Sequence, residues 1–170
     1  LDGNVQAAAT FSPDPARSHR YVLTRTWGPG TRVGWLMLNP SAADAMVDDQ
    51  TIGRCTAYSR SWGADGLVVV NLYALRSTDP RALRTHPDPV GAGNDQVIVA
   101  QLADAHVQSV VAAWGAHPFA GARAAHVVDL LAAQGVRLRC LGTTVGGHPR
   151  HPCRLPNGLQ LVDYIAGGVR

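Results

Sequence analysis

The stretch GLVVVNLYAL, residues 66–75, decides the fold class. From Leu67 to Val70 it is continuously apolar and mostly β-branched, which is the composition of a strand buried on both faces of a helix-covered sheet. Asn71 then interrupts the run, so a polar amide sits at the end of a core strand and needs a partner there. Upstream, DDQTIGRCTAYSRSWG (48–63) spaces Ile52, Cys55, Tyr58, Ser59 and Trp62 at helical intervals, with Asp48 or Asp49 as N-cap and Gly63 as the stop. Further upstream, RYVLTRTW (20–27) and TRVGWLML (31–38) flank Gly28-Pro29-Gly30, which predicts two neighbouring strands joined by a turn. The second of these ends abruptly at Asn39-Pro40.

Downstream, NDQVIVAQLADA (94–105) reads as a helix, VQSVVAAWG (107–115) as a strand, AGARAAHVVDLLAAQG (120–135) as a helix and VRLRCLG (136–142) as a strand. Alternation of this kind predicts an α/β fold, three layers αβα around a central, mostly parallel four-stranded sheet. Residues 1–19 are small, polar and proline-containing and are expected to form a flexible N-terminal arm, with 20–170 as a single domain.

With 170 residues, 46% hydrophobic and 16% charged, the chain has material for one substantial core. The net charge of +3 is compatible with a polyanionic partner but is too small to argue for one. Cys55, Cys140 and Cys153 lack metal-ligand spacing and read as reduced thiols, so neither a metal nor a cofactor is expected. No apolar run approaches the roughly 18 residues that cross a bilayer. A cytoplasmic, bacterial, monomeric protein with no membrane contact is the simplest expectation.

Ligands of open α/β sheets bind outside the carboxyl ends of the strands. Those ends read LNPSAADA, VVVNLYALR, AAWGAH and LGTTVGGHPRHPCRL, and together they hold two Asn, three His, Arg76 and Trp114. In this order the four pieces resemble the uracil-DNA glycosylase superfamily. MLNPSAADA is similar to the water-positioning motif of its mismatch-specific branch, and GLVVVNLYALR to the strand whose terminal Asn reads a pyrimidine edge. VVAAWGAH is similar to the strand ending in Trp-Gly, and GHPRHPCRL to the second motif, His-Pro-x-x-Leu. The whole chain also resembles a bacterial family known only as a domain of unknown function.

The resemblance implies a uracil-DNA glycosylase-like fold and a monofunctional DNA glycosylase that flips a base and hydrolyses its N-glycosidic bond, leaving an abasic site. Asn39 is then expected to position the water, with Pro40 and Ser41 beside it. An amide has no accessible protonation equilibrium, so a carboxylate must take the proton. Asp44, nearest the motif, is the catalytic candidate, with Asp48 and Asp49 as alternatives that serve equally well as N-caps. Asn71 is expected to read the base and Tyr73 to wall the pocket.

Of the two His-Pro pairs, His151 keeps the family's spacing to Leu155, so His151 is expected to stabilise the leaving base and Leu155 to enter the vacated stack. Arg76, His148, Arg150 and Arg154 are the candidate DNA-binding residues; phosphate contact suits the arginines, and an ordinary loop position suits His148. His117 and His126 carry no motif and read as structural.

The uracil-excising enzymes carry Asp where this chain has Asn39, and Cys153 and Arg154 stand where that family has small residues and Pro. These departures point away from uracil as the sole target and towards a modified pyrimidine, such as a hypermodified cytosine of phage DNA, which would make the protein a defence rather than a repair enzyme. The partner the resemblance implies is DNA, double- or single-stranded. No lysine occurs in the chain, which argues against a Schiff-base lyase step. Two other classes remain open: a non-catalytic base-sensing module on the same fold, and a hydrolase of free nucleosides or nucleotides. The latter lacks both G-x-G-x-x-G and G-x-x-x-x-G-K.

Overall fold

The structure, a computed structural model, describes residues 5–41, 47–79 and 81–166. Its elements are β1 (Gln6–Phe11), β2 (Arg20–Thr26), β3 (Arg32–Met37), α1 (Gln50–Ser61), β4 (Gly66–Asn71), α2 (Ala82–Thr85), α3 (Asn94–Leu102), β5 (Val107–Ala112), α4 (Gly121–Ala133), β6 (Leu138–Cys140) and β7 (Val162–Asp163). They build one seven-stranded mixed sheet in the order β1-β2-β4-β3-β5-β6-β7.

The expected four-stranded sheet is thereby corrected to seven strands. Four mutually parallel strands, β4, β3, β5 and β6, form its middle. Antiparallel β1 and β2 extend one edge and antiparallel β7 the other. The stretch expected as a loose arm contains β1, whose side chains alternate exposed and half-buried. An edge strand is held by backbone pairing to its neighbour and needs no apolar run, so composition alone misread it.

A second correction concerns β2 and β3, which are not neighbours. Thr26 at the end of β2 and Arg32 at the start of β3 both pair with Gly66, one on each side of β4. The Gly28-Pro29-Gly30 turn therefore passes over the start of β4. Asp65 holds it there: its carbonyl accepts from the Trp27 and Gly28 amides, and its carboxylate accepts from the Gly30 amide at 2.8 Å. A Cβ on Gly28 or Gly30 would lie 2.5 or 2.3 Å from that carboxylate, so a larger residue at either position would have to displace the Asp65 side chain that holds the crossing.

All six residues of β4 are buried, as its apolar run predicts. Leu67 and Val69 join Trp35, Ile52, Cys55 and Tyr58 in the core under α1, while Val68 and Val70 join Ile98, Leu102, Val127 and Leu131 under α3 and α4. Helices thus cover both faces of the sheet. Gly34 of β3 makes room for one of them, since a Cβ there would meet Leu102 Cδ2 at 2.6 Å. α1 starts where Asp49 Oδ1 accepts the Ile52 amide at 2.9 Å, and it stops at Trp62 before Gly63, whose φ of 76° is left-handed. Asp48 turns instead to the fully buried Arg25, with its Oδ1 2.8 Å from Nη2.

Among the described residues no helix is long and apolar enough to cross a membrane.

Candidate functional site

The parallel strands all end at the same edge, and a cavity of about 370 Å³ opens there. That volume lies at the lower end of small-molecule sites, roughly 300–1,000 Å³. Its polar lining includes Asn39 and Ser41 from beyond β3, Asn71 from β4, Asp49 and Thr51 from the start of α1, and His151 from the loop after β6. Arg20 and His117 also line it.

Asn71 ends β4 at 2% exposure, and its Nδ2 is buried with no hydrogen-bond partner. Its backbone is fixed by a residue the sequence did not single out: Asn94 Nδ2 donates to the carbonyls of Asn71 (3.0 Å) and Leu72 (3.3 Å). Arg123 Nε donates to Leu72 O as well, at 2.8 Å. The end of the strand is rigid while the side-chain amide of Asn71 has donor capacity unspent. A buried polar group left in that state costs roughly 1–3 kcal/mol, a cost a ligand acceptor would remove.

Asn39 is held differently. Its Nδ2 donates to Ser77 O at 2.8 Å and to Pro40 O at 3.1 Å, which uses both amide hydrogens. Only Oδ1 keeps capacity, as an acceptor. Pro40 is buried and does not line the cavity, and its carbonyl receives the Ser77 amide too. Ser41 lines the cavity and donates its hydroxyl to Asp49 Oδ2. Asp49 is therefore both the N-cap of α1 and the single carboxylate among the described residues that line the cavity. Asp44, the expected proton acceptor, lies outside the described residues.

His151 is half-buried, and its Nδ1 accepts the Cys153 amide at 3.3 Å. Burial holds the imidazole below its ordinary pKa, with the nearby Asp49 charge opposing that shift. The neutral ring with Nδ1 as acceptor carries its proton on Nε2, so it acts as a donor. The Trp-Gly turn supports the loop: Gly115, with φ 75°, donates its amide to Pro149 O at 3.0 Å, and Trp114 is 3% exposed against Tyr164.

Not every expected residue reaches the cavity. Tyr73 packs against the α3/α4 core and donates its hydroxyl to Phe119 O at 2.8 Å, away from the lining. His148 belongs to a separate depression beside Trp114. Leu155 is half-buried against the α1 core, and its carbonyl accepts from Arg54, so this side chain is committed to packing. Val145, in the loop leading from β6 to His151, is instead fully exposed. Arg150 and Arg154 are exposed nearby, and Arg76 lies over the Phe11 ring. His126 pairs with Asp95, while His117 accepts the Phe119 amide on Nδ1 yet still lines the cavity.

Arg20 is the main residue the sequence missed. It is 3% exposed, and nothing in the composition of RYVLTRTW marks it out from Arg25 in the same strand. Only the antiparallel placement of β2, which brings its first residue beside the end of β4, puts a guanidinium at this edge.

A family described as "Protein of unknown function (DUF1643)" matches the chain over residues 20–153. No curated protein and no solved structure matches it.

Proposed function

The chain belongs to the DUF1643 family, and from that premise we propose that it is a monofunctional DNA glycosylase with a uracil-DNA glycosylase-like fold, acting on a modified pyrimidine flipped into the strand-end cavity. The observation that carries this reading is the meeting of Asn39, Asn71 and His151 around one cavity, with Asn71 Nδ2 buried and unpartnered.

In this reading Asn71 donates to an acceptor on the base edge. The bond to C1′ breaks towards an oxocarbenium-like sugar, and negative charge develops on the base. His151, neutral and protonated on Nε2, donates a hydrogen bond to that charge. Asn39 Oδ1 accepts one hydrogen of the attacking water and orients it. Asp49 takes the proton in this reading, because it is a carboxylate lining the cavity and Ser41 already orients it; Asp44, the expected acceptor, lies outside the described residues. Val145 takes the stack-filling role expected of Leu155 in this reading, since it is an exposed apolar side chain in the loop that leads to His151. A hypermodified cytosine remains the favoured target, in the setting of phage defence.

One observation favours a second reading, the base-sensing module without chemistry. Both amide hydrogens of Asn39 brace the backbone, so the residue has a structural use whether or not water binds. Incubation with unmodified, uracil-containing and phage-modified duplexes, followed by alkali, separates the two. Strand scission on a modified substrate, lost in Asp49→Asn, supports the enzyme. Tight binding of a modified duplex with no scission supports the sensor, and neither binding nor scission removes both.

A further inference from the structure

Beside the cavity, sharing Ser41 as a common wall, lies a cleft of about 550 Å³ lined by Arg17, Ser18, Arg76, Ser77 and His86 among others. Among the described residues no carboxylate lines it. Arg17 and Arg76 come from different parts of the chain, the β1–β2 loop and the segment after β4, yet both guanidinium carbons lie over the Phe11 ring, at 5.2 and 5.1 Å from its centroid. Arg76 Nη1 donates to Arg17 O at 3.2 Å, and Arg76 Nε is buried without a hydrogen-bond partner.

Several other buried or half-buried arginines are spent on carboxylates. Arg25 pairs with Asp48, Arg32 with Asp104, and Arg123 with Asp95. Asp14 in the β1–β2 loop forms an ion pair with neither Arg17 nor Arg76: its carboxylate accepts from the Ser12 and Ser18 hydroxyls instead. Among the described residues Arg17 and Arg76 have no ion-pair partner. Two uncompensated guanidiniums on one aromatic support are suited to an oxyanion, which each binds with charge-assisted donors in a planar fork.

We propose that this cleft is a phosphodiester subsite, in which Arg17 and Arg76, positioned by Phe11, hold the backbone phosphate next to the nucleotide whose base enters the cavity. The proposal deepens the glycosylase reading and takes from it the nucleic-acid origin of the phosphate; the anion site itself follows from the cleft alone. Continuity through Ser41 favours a phosphodiester over a free phosphate, because a strand delivering a base to the cavity must run past that wall. Asn39 links the two spaces as well, since its amide holds the carbonyl of Ser77, a cleft residue.

The test measures equilibrium binding of a fluorescent 20-base-pair duplex, unmodified, across a salt series, for the wild-type chain, Arg17→Gln, Arg17→Gln/Arg76→Gln, Phe11→Leu and the control Arg137→Gln. Each neutralised phosphate contributes close to one unit of slope in log K against log salt. The slope is expected to fall by about 1 in Arg17→Gln and about 2 in the double variant, with Phe11→Leu weakening binding and Arg137→Gln leaving it unchanged. Arg17 is exposed and its side chain makes no hydrogen bond, so that single variant reads the site even where the double variant fails to fold. An unchanged slope in Arg17→Gln, or no DNA binding by the wild type, overturns the proposal. Competition by inorganic phosphate below millimolar concentration also overturns it, in favour of a free-phosphate site. Scission of modified DNA alongside an unchanged slope would sink the subsite and spare the glycosylase; slope changes without scission do the reverse.

Discussion

Ser41 donates its hydroxyl to Asp49 Oδ2 while Asp49 Oδ1 receives the Ile52 amide, so one carboxylate closes α1 and faces the cavity. A helix cap and the proposed proton acceptor are thus the same group. Asp49→Asn keeps an acceptor for the amide and loses the base: stability is expected to change by less than about 1 kcal/mol, and any scission to fall on the order of 10²–10⁴-fold. Asp49→Ala should add about 1 kcal/mol of destabilisation. Urea melts together with single-turnover scission separate the two effects, and full activity in Asp49→Asn would return the role to Asp44.

Asn71 is the counter-case, a residue whose side chain costs the fold. Asn71→Leu is close in shape and removes a buried donor that has no partner. It should leave stability unchanged or raise it by about 1 kcal/mol while abolishing binding of a flipped base. Thermal melting read beside affinity for a modified duplex checks this. A loss of several kcal/mol would show that the amide is structural.

The imidazole of His151 sets a pH signature. Burial favours its neutral form, so the folded chain holds this proton less tightly than the unfolded chain does. The unfolded state then binds more protons below the ordinary histidine value of about 6.5. His151 therefore contributes stability that is complete above that value and is lost as pH falls towards the lowered folded pKa. Proton NMR of the ring should give a midpoint below 6.5, and His151→Asn should flatten the fall in stability over that window. A midpoint above 6.5 would mean that the Asp49 charge outweighs burial.

Asp48 is predicted to matter only for the fold. Arg25 is fully buried, and Asp48→Ala withdraws its carboxylate partner. The cost should be about 2–3 kcal/mol, below that of a fully buried pair because the Asp48 side chain is 29% exposed. Denaturant unfolding checks the loss. Activity below the lowered melting temperature should persist, unlike that of Asp49→Asn.

The loop after β6 offers a contrast between two apolar residues. Val145→Ser should leave stability within about 0.5 kcal/mol, because the side chain touches nothing, and weaken binding to duplex more than to single strands. Leu155→Ala should cost about 1–2 kcal/mol through lost packing on the α1 core, with duplex affinity preserved. The opposite pattern would restore the stack-filling role to Leu155.

The central strand, the helices α1, α3 and α4, and the edge of the sheet where polar strand ends gather were all legible in the residues. Each is written in local physics: a doubly buried strand reads as an unbroken apolar run, a helix as a 3.6-residue spacing, marked at the start of α1 by a capping Asp, and the switch from Val70 to Asn71 as a polar group at a buried end. β1 and β7 were not legible, because edge strands are held by backbone bonds that any side chains permit. The insertion of β4 between β2 and β3 was equally hidden. A Gly-Pro-Gly turn has the same sequence whether it joins neighbours or passes over a third strand, and Asp65, distant in the chain, decides which.

At the site the division is similar. The residue types at each strand end, Asn39, Asn71 and the two His-Pro pairs, were determined by the sequence, since turn chemistry and interrupted apolar runs are local. Which of them share a cavity was not: Asn71 and His151 lie eighty positions apart, and Tyr73, two residues from Asn71, faces away because side chains and turns redirect within one residue at a strand end. The tertiary structure alone decided that Asp48 answers Arg25 while Asp49 answers the cavity, and that Arg17 and Arg76 meet on Phe11. Charge partners are settled by which strands lie side by side, and strand order is a long-range property that no window of sequence contains.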